Sequence, residues 1–424
     1  MGTILANVQP IGGDLPVSIR FEGSRITKVS EAPIAPTAGD DIVDGGGKLV
    51  ASGFVNAHTH LAMVLFRGLA DDVPLQTWLE DHIWPIEAKL SAEDVYWCTL
   101  LGLAEGIRGG TVAYADMYFH ADAVAQAVEE SGARGLLAYG MIAPAMEENG
   151  RAELDTAVRF VDRWDGAGGG RVRAAISPHA IYTVGEDVWR AAIEAATDRE
   201  VPIHTHVAET RAEVASWLDR TGEGTVPYLE RIGAFTVPFL AAHCVHLDDA
   251  DIAILAAHDV TAAHCPKSNA KLGSGIAPVV AMRDAGVAVA IGTDGAASNN
   301  RLDMVEESRA AWMIQRAAHE DSMRPSAEDV LDMAMHAGRP VLGLEPDGLI
   351  EGGSADLILI DREPLHVTPP HDPTSTLVFA SSGLDVTDVL VDGRWLVRNR
   401  ELRTIDVNRV RFEVTSLIGR LGDT

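Results

Sequence analysis

The chain is poor in three things. Only 3 of its 424 residues are cysteine, too few for a disulfide framework, which points to a reducing compartment such as the cytoplasm. Basic residues are scarce: 34 Lys and Arg against 62 Asp and Glu leave a formal net charge of −28. Nucleic acid and anionic membranes are bound by clustered Lys and Arg, so neither is expected as a partner. No uncharged apolar run approaches the roughly 18 residues of a membrane span. The opening residues also lack the basic and apolar regions of a secretory leader. What remains is globular: 47% hydrophobic and 23% charged is too apolar for a disordered chain. The length suits about two to three average domains, or one large barrel with an added module.

The two ends read as β structure. Val17–Arg20 and Ile26–Val29 alternate around the turn residues Glu22-Gly23-Ser24. Ala355–Ile360 reads as a buried strand. Val389–Val391 and Trp395–Val397 flank Asp392-Gly393, a pair that supplies the positive φ of a tight hairpin turn. Neither end is long enough to close a core alone, so residues 1–52 and 347–424 are expected to pair into one small β-sandwich domain. Between them, in 53–346, eight short apolar runs alternate with helical patterns. The runs are Phe54–His60, Thr111–Asp116, Arg134–Gly140, Val172–His179, Val201–His206, Phe239–His243, Val260–His264 and Val287–Asp294. Eight strand–helix units over this length predict a closed (β/α)8 barrel of TIM type, with an open doubly wound sheet as the runner-up.

The ends of these runs carry the chemistry. The first ends in His58-Thr59-His60, the fifth holds His204 and His206 with Glu209 just beyond, the sixth ends at His243, the seventh at His264 and the eighth at Asp294. In a barrel the C-terminal strand ends form the active site. His58 and His60 are two apart on one strand, so both imidazoles face the same side and can serve one metal. A histidine from the fifth run and a carboxylate from the eighth would complete a site with a water in its open position; zinc fits this mostly imidazole set, and iron also does.

The segments Gly53–His60, Arg67-Gly68, Trp78-Leu79, Pro85-Ile86-Glu87, His206–Thr210, His243–His246 and Gly292–Asn300 resemble the amidohydrolase superfamily. Asp116–His120 and Lys271–Pro278 narrow the resemblance to its 5′-methylthioadenosine/S-adenosylhomocysteine deaminases, over nearly the whole chain. The resemblance implies one divalent metal on His58, His60, His206 and Asp294, with Glu209 and His243 as the acid/base pair. Binuclear relatives bridge two metals with a lysine on the fourth strand, and Val172–His179 contains no Lys. The implied reaction is hydrolytic deamination of a purine nucleoside: Glu209 protonates the ring nitrogen beside the amino-bearing carbon, while His243 and Asp294 take a proton from water. His204, His246 and His264 are expected to support rather than ligate.

For the substrate, the resemblance implies that Glu87 accepts from the ribose hydroxyls, that His179 contacts the purine and that Arg151 lies near the 5′ substituent. Trp84 and Met63 would line the apolar part. Tyr139 stands where the resembling family has an arginine, which weakens the expectation of a charged amino-acid tail and favours adenosine, 5′-deoxyadenosine or 5′-methylthioadenosine. The alternatives are a deaminase or chlorohydrolase of another heterocycle (guanine, cytosine, a triazine), an esterase of phosphates or lactones, and a non-catalytic barrel. Homo-oligomerisation is expected from fold analogy alone.

Overall fold

In a computed structural model, residues 2–13, 15–73, 77–345, 348–369 and 371–422 are described. The expected domain boundary at Pro346/Asp347 lies outside them. Eight parallel strands run in sequence order: β6 (Phe54–Thr59), β7 (Thr111–Tyr118), β8 (Arg134–Met141), β9 (Val172–Pro178), β10 (Ile203–Val207), β11 (Phe239–His243), β12 (Thr261–His264) and β13 (Ala288–Ile291). The ring closes where β13 returns to β6: the Asp294 N–H donates to the His58 carbonyl at 2.9 Å. That closure needs Gly292, because a Cβ there would stand 2.7 Å from the His58 nitrogen. Asn56 also ties β6 to the segment after β13, accepting from the Thr293 N–H at 3.0 Å and donating to its hydroxyl at 2.7 Å.

The strands are buried almost throughout, as parallel strands covered by helices must be. The helices arise where their signals stand. Ser91 caps Ala92–Arg108 through a reciprocal bond with Asp94, and Asp248 does the same for Asp249–Ala257 with Asp251, satisfying N–H groups that a helix start leaves orphaned.

The other nine strands come from both chain ends: β1 (Thr3–Pro10), β2 (Val17–Glu22), β3 (Arg25–Ser30), β4 (Asp41–Asp44), β5 (Leu49–Ser52), β14 (Leu357–Ile360), β15 (Val386–Val391), β16 (Arg394–Arg398) and β17 (Glu401–Leu402). Eight of them form one hydrogen-bonded path, joined where β5 pairs with both β1 and β14, and β4 pairs with β1 off that path. Leu5, Ile19, Phe21 and Ile26 share a core with Val50, Leu357, Leu359 and Leu390. The Asp392-Gly393 turn has both residues at positive φ, 53° and 68°, as its sequence predicts. The last helix, Val407–Gly422, packs on Ala92–Arg108 of the barrel. Among the described residues no helix is long and apolar enough to cross a membrane. Cys98, Cys244 and Cys265 are free and buried.

Candidate active site

The C-terminal rim of the barrel gathers His58, His60, His206, Glu209, His243 and Asp294. On β10 the alternation that buries the strand puts His204 and His206 on one face. At or just beyond the last residues of β10, β11 and β13 the backbone turns left-handed at Ala208 (φ 49°), His243 (φ 72°), Cys244 (φ 50°) and Asp294 (φ 59°). Such conformations cost energy and cluster where a side chain must be re-aimed.

The tautomers are set by outer partners. His60 Nδ1 lies 2.7 Å from the Met117 carbonyl and His206 Nδ1 lies 2.8 Å from the His179 carbonyl. A carbonyl only accepts, so each Nδ1 donates, and the neutral ring presents a lone pair at Nε2. Those two Nε2 atoms face each other at 3.4 Å. Asp294 Oδ1 stands 3.3 Å from His60 Nε2 and 3.6 Å from His58 Nε2. His58 Nε2 is buried with no hydrogen-bond partner, and the donor atoms of the three histidines lie within 4.8 Å of one another. Burial, reinforced by the neighbouring imidazoles, pushes His58 and His206 well below the usual imidazole range. Imidazole nitrogens converging beside a carboxylate suit a divalent cation.

Asp294 is itself held: its Oδ2 accepts from Ser268 (2.6 Å) and Ser298 (2.8 Å), and its Oδ1 from the Gly295 N–H (2.7 Å). Beside it, His243 Nε2 lies 3.8 Å from Glu209 Oε2. Asn269 orients the His243 ring through Nδ1 at 2.9 Å. Burial pushes Glu209 up, with Asp294 adding to the effect and His243 opposing it. For His243 burial acts downward, but the Glu209 and Asp294 carboxylates outweigh it and leave the imidazole above its ordinary value. A carboxyl inclined to keep its proton next to an imidazole inclined to accept one has the chemistry to exchange a proton.

His60, His206, Glu209, His243 and Asp294 line one cavity together with Met63, Trp84, Glu87 and His179. Glu87 is half-buried and accepts from the Tyr118 hydroxyl; burial raises it above the ordinary carboxylate range despite that bond. His179 is anchored by Thr183 at 3.0 Å. Arg151 sits in the first turn of the helix Glu148–Trp164, exposed, with its guanidinium 3.4 Å from the Met146 carbonyl, and it is not among the cavity's lining residues. His204 contributes through His58, Nε2 to Nδ1 at 2.9 Å, not through His206. His246 is occupied by the Ser274 carbonyl. His264 is buried with neither ring nitrogen hydrogen-bonded.

Sequence reasoning did not single out Asn269, Ser268, Ser298 or Tyr118. Ser298 lies four residues after Asp294 on the following helical turn, a local signal. Tyr118 reaches Glu87 across 31 residues of chain, for which spacing gives none.

A closed barrel that gathers converging imidazoles and a carboxylate beside a buried carboxyl–imidazole pair defines a class, the metal-dependent hydrolase barrels. The amidohydrolase family profile matches residues 49–396, and the chain belongs to that family. It is 48% identical over 375 residues to a 5-methylthioadenosine/S-adenosylhomocysteine deaminase of Dictyoglomus thermophilum, covering 88% of each chain. It is 42% identical to a 5′-deoxyadenosine deaminase of Methanothermobacter thermautotrophicus, covering 93% of this chain and 92% of that one. Among solved structures, a zinc-bound adenosine deaminase from Xanthomonas campestris superimposes with a TM-score of 0.92 at 32% identity, covering 100% of this chain and 98% of that one. Family and histidine group together support a divalent metal ion.

Proposed function

We propose that this protein hydrolytically deaminates 6-aminopurine nucleosides to the inosine analogue and ammonia, acting in the cytoplasm with one zinc ion on His58, His60, His206 and Asp294. The supporting observation is the Glu209–His243 pair, 3.8 Å apart, in a cavity that also contains the Glu87 carboxylate. The relatives named for adenosine-type substrates favour the same reading over free bases or triazines.

When bound, the ion supplies the Lewis acidity that makes hydroxide available near neutral pH. The chain's own residues do the rest. Glu209, inclined by burial to hold a proton, donates it to the ring nitrogen beside C6, which makes that carbon electrophilic. His243, fixed by Asn269, and Asp294, fixed by Ser268 and Ser298, take the proton of the attacking water. Proton return to the amino group then lets ammonia leave. Glu87 accepts from the two ribose hydroxyls, as a carboxylate with two oxygens can, and His179 borders the purine.

The test is direct. Zinc-loaded enzyme should release one ammonia per nucleoside consumed, with loss of the aminopurine absorbance, from adenosine and its 5′-modified forms. Ammonia from free bases or triazines but not from nucleosides would move the assignment to another heterocycle.

A further inference from the structure

Glu209 stands between two cavities. One is the cavity at the metal; the other, of about 660 Å³, is bordered by Glu209 together with Glu213, His246 and Ser274. Ser274 lines the second and not the first. A glutamate side chain is flexible and its last torsion is soft, so one that borders both cavities can lean into either. It is held from two directions. The Glu209 N–H donates to Glu213 Oε2 at 3.1 Å, and the Thr210 N–H does so at 3.4 Å. These bonds belong to the reciprocal cap that starts the helix Arg211–Thr221, and they fix the main chain. The side chain is met by Ser274, whose hydroxyl donates to Glu209 Oε1 at 3.4 Å, with both residues buried.

Resting on the deaminase reading above, we propose that Ser274 is a positioning residue for the proton donor: its hydroxyl keeps the Glu209 carboxyl turned to the metal-side cavity, and His246 latches Ser274 in place. Ser274 is anchored at both ends of its main chain. Its N–H donates to the Asn269 carbonyl at 2.9 Å, and its carbonyl accepts from His246 Nε2 at 2.7 Å. Asn269 is also the residue that holds His243. One short stretch, Asn269–Ser274, therefore reaches both members of the acid/base pair, with the Asn269 side chain on His243 and the Ser274 side chain on Glu209. The glycines beside Ser274 permit the close fit. Gly273 and Gly275 have φ of 67° and 128°, where a side chain is strained. A Cβ on Gly275 would stand 3.0 Å from Val245 Cγ1 and 3.4 Å from His246 Cε1. His246 is itself tied back to the chain next to the donor: the Val245 and His246 N–H groups both donate to the Ala208 carbonyl, at 3.1 and 3.0 Å. A catalytic group misplaced by about 1 Å can cost up to about 10²-fold in rate. A bond that only aims the carboxyl thus acts on turnover and not on substrate binding.

The experiment measures kcat, KM and zinc content of Ser274→Ala, with ammonia release from adenosine as the assay. Loss of one orienting hydrogen bond should lower kcat about tenfold. KM and zinc content should hold, since Ser274 does not line the metal-side cavity. The decisive readout is a double-mutant cycle. On the background of Glu209→Gln, which has no acid proton to give, Ser274→Ala should cost nothing further, whereas a serine that merely supported the fold would cost the same factor there. His246→Ala should lower kcat in the natural enzyme and add nothing on the Ser274→Ala background. Unchanged kcat in Ser274→Ala, or an equal loss on the Glu209→Gln background, overturns the positioning role while leaving nucleoside deamination intact. Full kcat in His246→Ala overturns the latch. No ammonia from adenosine with the natural zinc-loaded enzyme overturns the deaminase reading and this proposal with it.

Discussion

Two buried aspartates sit at opposite ends of the barrel, Asp356 at 0% exposure and Asp294 at 6%. Asp356 meets the N-terminal ends of the strands. Arg134, the first residue of β8, reaches its Oδ2 through Nε at 2.9 Å and its Oδ1 through Nη2 at 3.3 Å, and the Asp392 N–H adds 2.8 Å to Oδ1. The chain itself completes that site, and it ties the β module to the barrel. Asp294 also has three donors, yet its Oδ1 still faces two imidazole nitrogens at 3.3 and 3.6 Å. Both are costly to bury. The difference is that one is finished within the polypeptide and the other is arranged around something the polypeptide does not supply. Completed polar clusters add stability, and incomplete ones mark where a ligand or reaction belongs.

The strongest challenge to this contrast is His206→Ala. It should abolish turnover and strip the metal, checked by elemental analysis of the purified variant, with the zinc-induced rise in Tm lost as well, since an ion stabilises only what it binds. Full zinc content would remove His206 from the ligand set. Next is Glu209→Gln, which should keep its zinc and lose about 10²–10⁴-fold in kcat, the usual contribution of a general acid/base. Undiminished kcat would discard the proton-donor role. Third is the other end: Asp356→Ala should cost roughly 3–5 kcal/mol in urea unfolding, the range for breaking a buried pair, while kcat of the folded protein stays put. Burial acts to raise Asp356, but Arg134 and the Asp392 N–H outweigh it, so its carboxyl is held below the ordinary value. Its stabilisation is therefore present above about pH 4 and is lost as pH falls through the lowered value. The gap between the natural protein and the variant should close on acidification. A pH-independent gap would mean that packing, not charge, holds that junction.

The two ends were not equally legible in the sequence. The rim was readable because strands alternate and barrels place function at strand ends. His58-Thr59-His60 gives two imidazoles on one face without any three-dimensional knowledge, and the Asp392-Gly393 turn announces itself by residue type. Asp356 gives no such signal: its meaning depends on Arg134, more than two hundred residues away, and no periodicity links them. The strand β4 was missed for a related reason, since parallel pairing with β1 near the start of the chain, rather than local alternation, makes it a strand.

The smallest expected effect tests the idea within the site itself. Ser298→Ala removes one of the two hydroxyls on Asp294 Oδ2 and leaves Ser268 at 2.6 Å. Outer partners of a ligating carboxylate typically govern about 10–100-fold in metal affinity. With Ser268 still in place the loss should sit near the lower end, read as zinc dissociation by competition with a chelator. Adding Ser268→Ala should then cost more than it does alone, because the two hydroxyls share one oxygen and are coupled. If the single serine change instead emptied the site as completely as His206→Ala, Asp294 would be held by one hydroxyl rather than by a set, and the rim would owe its geometry to a single bond.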